Sequence, residues 1–534
     1  MASLALSGVG GDAVPLEPEG ASAAVEARVR WWPLAVAVAL VEVLAGAGVL
    51  PVWAGLAHEV ALPPLGLVTD LRLLLSRAGA APWFALGLAA ALCGRVALLW
   101  SLLGWSRRRL GQVVRFYLVA LLPCALAAVL LDAGQVSLYA MLFWVGLGVL
   151  AVTALALLPL PWRAAGGLGG LVDALRHGRR LPTVLSYLVA LVVLGGATRL
   201  GRPWSALGAV VVSALLTGLV AHRLTRVGHR PLRFRLGAVG VAAAAALTAA
   251  LLPARATAGT AVAPARSGSL LLVPGIDTWS GHGTLFNLDP RTLGYGCGAT
   301  YYFSYGGAGG GVPQGGAACP IRTGATYVRA DTERPLGQLV SDFRAQLAHL
   351  PGPVTVVTHS SGSWVAWAAL ASSRGPTRVR DLVLLSPLTD PLGFPTPGRP
   401  GPGAVGADGA RLVTAVGRWV GFSRFRLDAP LATELFARHG ALAALLARPL
   451  PPGVAALAVP AGSDVPLLAA AGTPFPRADE ACPVPASHTG VATSAASAAV
   501  VNRFLAGRPP PGCPSLERWA AGAVAGFRVP DPGS

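Results

Sequence analysis

Val354–Trp364 reads VTVVTHSSGSW, and this stretch decides the fold. VTVVT has the apolar, β-branched composition of a strand buried on both faces. The residues beyond the serines, WVAWAAL, read as a helix. A turn that joins a strand directly to a helix holds its central residue in strained backbone angles, so the residues two before and two after must be small. Ser360 has Thr358 and Gly362 at those flanks, whereas Ser361 would have His359 and Ser363, and Ser363 would have Ser361 and Val365. Ser360 is therefore the candidate nucleophile of a nucleophile elbow. Its first flank is Thr where the G-x-S-x-G pattern has Gly, a departure that keeps the side chain small.

Around this stretch, short apolar runs alternate with helical patterns. Ser269–Val273, Thr300–Tyr305, Val354–Thr358, Asp381–Leu385 and Val454–Val459 read as buried strands, and Leu336–Leu350, Trp364–Ser372, Leu427–Leu446 and Val491–Leu505 as helices. That alternation predicts a mostly parallel sheet with helices on both faces over residues 268–507. Gly306–Gly316 and Phe394–Ala410 break the pattern, and residues 391–450 are expected to form a cap or lid insertion.

A serine hydroxyl needs a base, and the base an orienting carboxylate. His488, in PASHTGV, precedes the last helix and is the only histidine after His439. Asp464 follows the strand Val454–Val459, at a carboxyl end where open parallel sheets gather their active-site groups. Its rival is Asp390, which stands before Pro391 in turn-forming context; the strand nearest the base favours Asp464. Two N–H donors are needed for charge developing on a carbonyl oxygen. Ser361 supplies one, and Ile276, after Gly275 in LLLVPGID, is nominated for the other. Asp277 and the following TWSGHGT, with His282, line the same turn.

Upstream of residue 254 the chain changes character. The whole chain is 54% hydrophobic and 12% charged, about half the charged share of a soluble protein, which excludes a single soluble domain. Seven apolar windows fall at 31–57, 81–105, 116–131, 136–161, 183–198, 204–221 and 236–253, so residues 31–253 are expected to form a transmembrane region of about seven helices. Residues 1–30 are expected to be a cytoplasmic tail, 254–267 a linker and 508–534 a carboxyl-terminal extension. The tail carries Asp12, Glu17, Glu19 and Glu26 and no early apolar stretch, so the first span is expected to act as the insertion signal. Arginines alternate sides between the windows, fifteen against four, which predicts an inside amino terminus and an extracellular domain. Glu42 and Arg95 sit near mid-span and are expected to form an intramembrane ion pair joining two helices.

The net charge of +18 comes entirely from arginine and is not gathered into one stripe with stacking aromatics, so no nucleic-acid partner is expected. Cys93 and Cys124 fall in spans. Four others lie in the domain assigned to the outside, and of their three possible pairings the local one, Cys297 with Cys319 and Cys482 with Cys513, is preferred because each closes a short loop. Their spacing fits no zinc pattern, so no metal is expected.

VPGID, THSSG, AGSD and SHTG, in this order at strand ends, resemble the α/β-hydrolase superfamily of lipase or esterase type. The chain is also similar to actinobacterial multi-span membrane proteins with such a domain at the carboxyl end. The resemblance implies a triad of Ser360, Asp464 and His488 and a cofactor-free acyl-transfer reaction through an acyl-enzyme, without identifying the substrate; a membrane-tethered domain facing outward is expected to meet an ester or lipid-like substrate among membrane lipids. The alternatives are a catalytically retired envelope scaffold or sensor, and a transporter with an accessory domain, the latter resting on Glu42 and Arg95.

Overall fold

Long apolar runs and short branched runs become two different layers of this molecule. The computed structural model describes residues 30–162, 181–200, 204–225 and 262–529, except 312–313, 374, 390–393, 422–425, 437–439, 468–476, 516–517, 520–523 and 525–526. The amino-terminal half is helical: α1 Trp32–Gly46, α2 Leu65–Arg77, α3 Ala81–Leu103, α4 Arg107–Val136, α5 Ala140–Leu157, α6 Leu181–Leu200 and α7 Trp204–Thr225. Among the described residues four segments are long and apolar enough to cross a bilayer: α3, α4, α5 and Ser205–Thr225 of α7. The window at 236–253 lies outside the described residues.

The first window does not form one span. α1 ends at Gly46 after 15 residues, about 22 Å, short of the ~30 Å hydrocarbon core. The chain then turns back among the helices through a short 3-10 turn at Ala54–His58 and the buried amphipathic α2. Irregular backbone inside such a bundle must find partners in protein. The N–H of Leu62 donates to the Tyr187 hydroxyl at 2.9 Å, and that hydroxyl meets Thr217 Oγ1 at 2.7 Å.

This returning segment overturns the expected pairing of Glu42 with Arg95. The Arg95 guanidinium donates to Asp70 Oδ2 at 2.7 Å and Oδ1 at 2.8 Å, and to Glu59 Oε2 at 2.9 Å. Among the described residues no ion pair joins it to Glu42. The reason is topological: α2 and the turn before it carry two carboxylates to Arg95, closer than α1 brings Glu42. A second pair, Arg72 with Asp132 at 2.6 Å, ties α2 to α4 with side chains only 5% and 1% exposed.

The carboxyl-terminal half is built on a six-stranded sheet, β1 Ser269–Val273, β2 Thr300–Tyr302, β3 Val354–His359, β4 Val379–Leu385, β5 Ala455–Val459 and β6 Asp479–Glu480. The order is β2-β1-β3-β4-β5-β6 and every pairing is parallel. β1 and β3 are buried along their whole length, as their sequences require. Helices α8 Leu336–Ala348, α9 Gly362–Ala371, α10 Ala404–Trp419, α11 Pro430–Leu435, α12 Ala441–Leu446 and α13 Ala495–Leu505 belong to this half. The helix expected over Leu427–Leu446 is two short ones, the second starting after Gly440 at φ +72°, a left-handed conformation. A further helix, α10, starts inside the expected Pro/Gly connection. Both local disulfides are present, Cys297–Cys319 and Cys482–Cys513, with Cα separations of 5.3 and 5.1 Å.

The two halves meet at one end of the bundle. Leu138 and Ala140, at the turn between α4 and α5, belong to the same apolar cluster as the strands. Gln135 of α4 holds the carboxyl-terminal segment, donating to Phe527 O at 3.2 Å and accepting from the Val529 N–H at 3.3 Å. Arg107, Arg108 and Arg109 stand at the opposite end of α4, a 30-residue helix about 45 Å long.

Removing one partner of a buried ion pair strands the other charge. Asp132→Ala is therefore expected to destabilise the detergent-solubilised protein by about 3–5 kcal/mol, seen as a lower unfolding midpoint, while Arg72→Met combined with Asp132→Leu should recover most of the loss. A change below about 1 kcal/mol for the single variant would show the pair to be solvated.

Candidate active site

The strand order reverses once. From β1 the chain moves to β2 on one side, and from β3 it proceeds to β4, β5 and β6 on the other. The carboxyl ends of β1 and β3, on either side of that reversal, are the place where open parallel sheets bind ligands. Ser360 directly follows β3 and the Pro274–Ile276 turn directly follows β1, and Val273 pairs with Thr358, so the topology sets the two turns side by side.

Ser360 has φ +51°, a left-handed conformation that a serine adopts only under constraint. Its N–H donates to Leu385 O at 3.0 Å, fixing the turn to β4. The flanks explain themselves. A Cβ on Gly362 would meet the carbonyl oxygens of Val273 and Pro274, each at 2.6 Å. Thr358 is fully buried, and its hydroxyl bonds Ser363 Oγ at 2.8 Å and Val383 O at 3.2 Å, so Thr here secures the elbow to its neighbours. A Cβ on Gly275 would sit 2.9 Å from the Ser360 Cβ, so glycine brings the β1 turn against Ser360. Among the described residues the Ser360 hydroxyl has no hydrogen-bond partner, and the N–H groups of Ile276 and Ser361 donate to no protein acceptor. Two free N–H donors beside a strained serine suit an oxyanion.

Asp464 follows β5 in a 3-10 turn, Gly462–Leu467, and is fully buried. His488 comes after β6, and its Nδ1 lies 2.6 Å from Asp464 Oδ2. A neutral imidazole that donates from Nδ1 keeps Nε2 unprotonated, the state required of a base. Burial works against the His488 imidazolium, but the charge and hydrogen bond of Asp464 outweigh it and hold the pKa above 6.5. Asp390 and His439 lie outside the described residues. His282 stacks on Trp279 at 4.8 Å and forms no hydrogen bond with Ser360, Asp464 or His488.

Three supporting residues escaped sequence reasoning. Ser463 Oγ accepts the His488 N–H at 2.8 Å and donates to Asp464 Oδ1 at 3.1 Å, so one hydroxyl positions both His488 and Asp464. Trp144 of α5 donates from Nε1 to Ser463 O at 2.8 Å, joining the helical bundle to the acid's turn. His359 donates from Nε2 to the His488 carbonyl at 2.8 Å. Of these, only Ser463 carried a signal, since it precedes the acid in AGSD. An apolar groove of 530 Å³ lies elsewhere, lined by Val340, Ala368, Leu435 and Ala444 among others, and it contains none of these residues.

Burial pushes the His359 pKa from 6.5 down to about 3. Between those values the unfolded chain holds a proton that the folded one does not, so stability present at neutral pH falls as pH drops below 6.5, by up to about 1.4 kcal/mol per pH unit. His488, with its raised pKa, contributes with the opposite sign: its share is complete below 6.5 and lost as pH climbs through the raised value. Melting curves between pH 7 and 5 should therefore be steeper in pH for the native protein than for a His359→Gln variant, and equal slopes would remove His359 from the account. Comparison with protein-family models, with curated proteins and with solved structures finds no match to this chain.

Proposed function

We propose that this chain is a membrane-bound serine hydrolase that cleaves or transfers the acyl group of carboxylic esters, with Ser360, Asp464 and His488 as its triad. The observation that carries this reading is the 2.6 Å bond between buried Asp464 and His488, on loops from adjacent strands, with the His488 carbonyl held by His359, the chain neighbour of a serine at φ +51°. Ser, Asp and His follow one another in the chain order of α/β hydrolases, and the all-parallel sheet with its reversal beside the elbow agrees with that fold.

In this reaction the Ser360 oxygen attacks the ester carbonyl as His488 Nε2 takes its proton. Asp464 keeps the imidazole in the Nδ1–H tautomer and stabilises the imidazolium. The Ile276 and Ser361 N–H groups receive the charge on the carbonyl oxygen. His488 returns its proton to the departing alcohol, leaving an acyl-serine that water or a second alcohol resolves by the same route in reverse. No step calls for a cofactor.

The arginine distribution, two disulfides and docking at the end of α4 opposite Arg107–Arg109 support an inside amino terminus with the catalytic domain facing an oxidising exterior.

A fluorophosphonate should label the purified full-length protein at Ser360, and a Ser360→Ala variant should not be labelled; undiminished labelling of that variant discards the assignment. Asp464→Asn is expected to lower kcat on a p-nitrophenyl ester by about 10⁴-fold, since it favours the wrong tautomer. Because His488 must be neutral to act, the acid limb of kcat/KM should have its midpoint above 6.5, and a midpoint at or below that value contradicts the Asp464 pairing.

A further inference from the structure

Helix α10 has three faces. At 100° per residue, Gly406, Ala407, Ala410, Thr414 and Gly417 share one sector and are buried. Leu412, Val416 and Trp419, with Val420 just beyond the end, form a second sector and are 67%, 50%, 86% and 61% exposed. Asp408, Arg411 and Arg418 occupy the third and are exposed to solvent.

The buried sector is seated on the helical bundle. The Val405 N–H donates to Ala78 O, just past α2, at 3.3 Å. A Cβ on Gly406 would lie 2.6 Å from Leu75 O, so only glycine permits that approach, and the Cβ of a residue at 409 would touch Val129 of α4 at 3.8 Å. Ala407 and Ala410 share an apolar cluster with Ala133 and Val136 of α4. α4 itself exposes Leu118, Leu122 and Leu126, 67%, 78% and 50%, as a helix facing lipid does. The uncovered sector of α10 thus lies beside α4, whose own outer face is apolar and whose length suits a bilayer, and its neighbouring sector carries charges.

We propose that α10 lies at the bilayer interface with Leu412, Val416, Trp419 and Val420 among lipid acyl chains and Asp408, Arg411 and Arg418 toward water. A tryptophan at the edge and arginines along the polar side are the chemistry of a helix resting in an interface. The inference rests on the bundle crossing the membrane and not on the reactivity of Ser360, so it and the hydrolase reading fail separately.

The test uses full-length protein with Cys93→Ala, Cys124 being buried and the remaining cysteines disulfide-bonded. Single cysteines from Leu412→Cys, Val416→Cys and Trp419→Cys, and from Asp408→Cys, Arg411→Cys and Arg418→Cys, are labelled with a nitrobenzoxadiazole fluorophore. Each labelled protein is reconstituted into phosphatidylcholine–phosphatidylglycerol vesicles with plain or brominated chains. Brominated lipid should quench the first three labels about twofold or more, with blue-shifted emission, and leave the last three nearly unchanged. Water-like emission from all six overturns the proposal. So does shielding of the first three without quenching, which would mean that a second copy of the chain covers the face. All six positions are exposed, so loss of folding is not expected, and an unchanged elution volume of each labelled protein checks it.

Discussion

The geometry of the site hangs on the serine before the acid. Ser463 accepts from the backbone of His488, donates to Asp464, and through its carbonyl receives Trp144 from α5. The two bonds between neutral groups each contribute only about 1 kcal/mol to stability, and the one to the carboxylate about 1.5–3 kcal/mol. Their effect on position is larger, because a base displaced by about 1 Å loses most of its advantage. The charge-assisted contact between His488 and Asp464 sets the tautomer, and the Ser463 bonds decide where that pair stands.

A second constraint is that buried charge must be paired. The bundle holds Arg95 between Glu59 and Asp70, and Arg72 against Asp132. Such pairs add little net stability over apolar residues of the same size, yet they are very costly to misassemble. They therefore specify how the returning segment between α1 and α3 sits among its neighbours. That segment in turn offers Leu75 and Ala78 to α10, so the pairing inside the bundle fixes the platform on which the second half rests.

The strands were legible because runs such as SLLLV and VTVVTH have one favourable environment, the middle of a parallel sheet. β6 was not, since Asp479 and Glu480 pair through backbone alone at the sheet edge. α10 was hidden by its glycines, which lower helix propensity while allowing the close approach to Leu75. Ser360, Asp464 and His488 could be nominated from spacing at strand ends, and the two disulfides from loop length. The partners of Arg95 could not, because they depend on a reversal of the chain that hydropathy does not encode. Trp144 read as one more apolar residue of a span, since nothing local marks an indole N–H destined for a carbonyl 319 residues away.

That indole has a practical bearing on how the protein is handled. Cutting the chain near residue 262 to obtain a soluble fragment would leave the Ser463 carbonyl without its donor and bare the apolar patch that Leu138 and Ala140 cover. An excised fragment would then report on a loosened version of the site, whereas detergent micelles or nanodiscs that retain α5 would preserve the native arrangement.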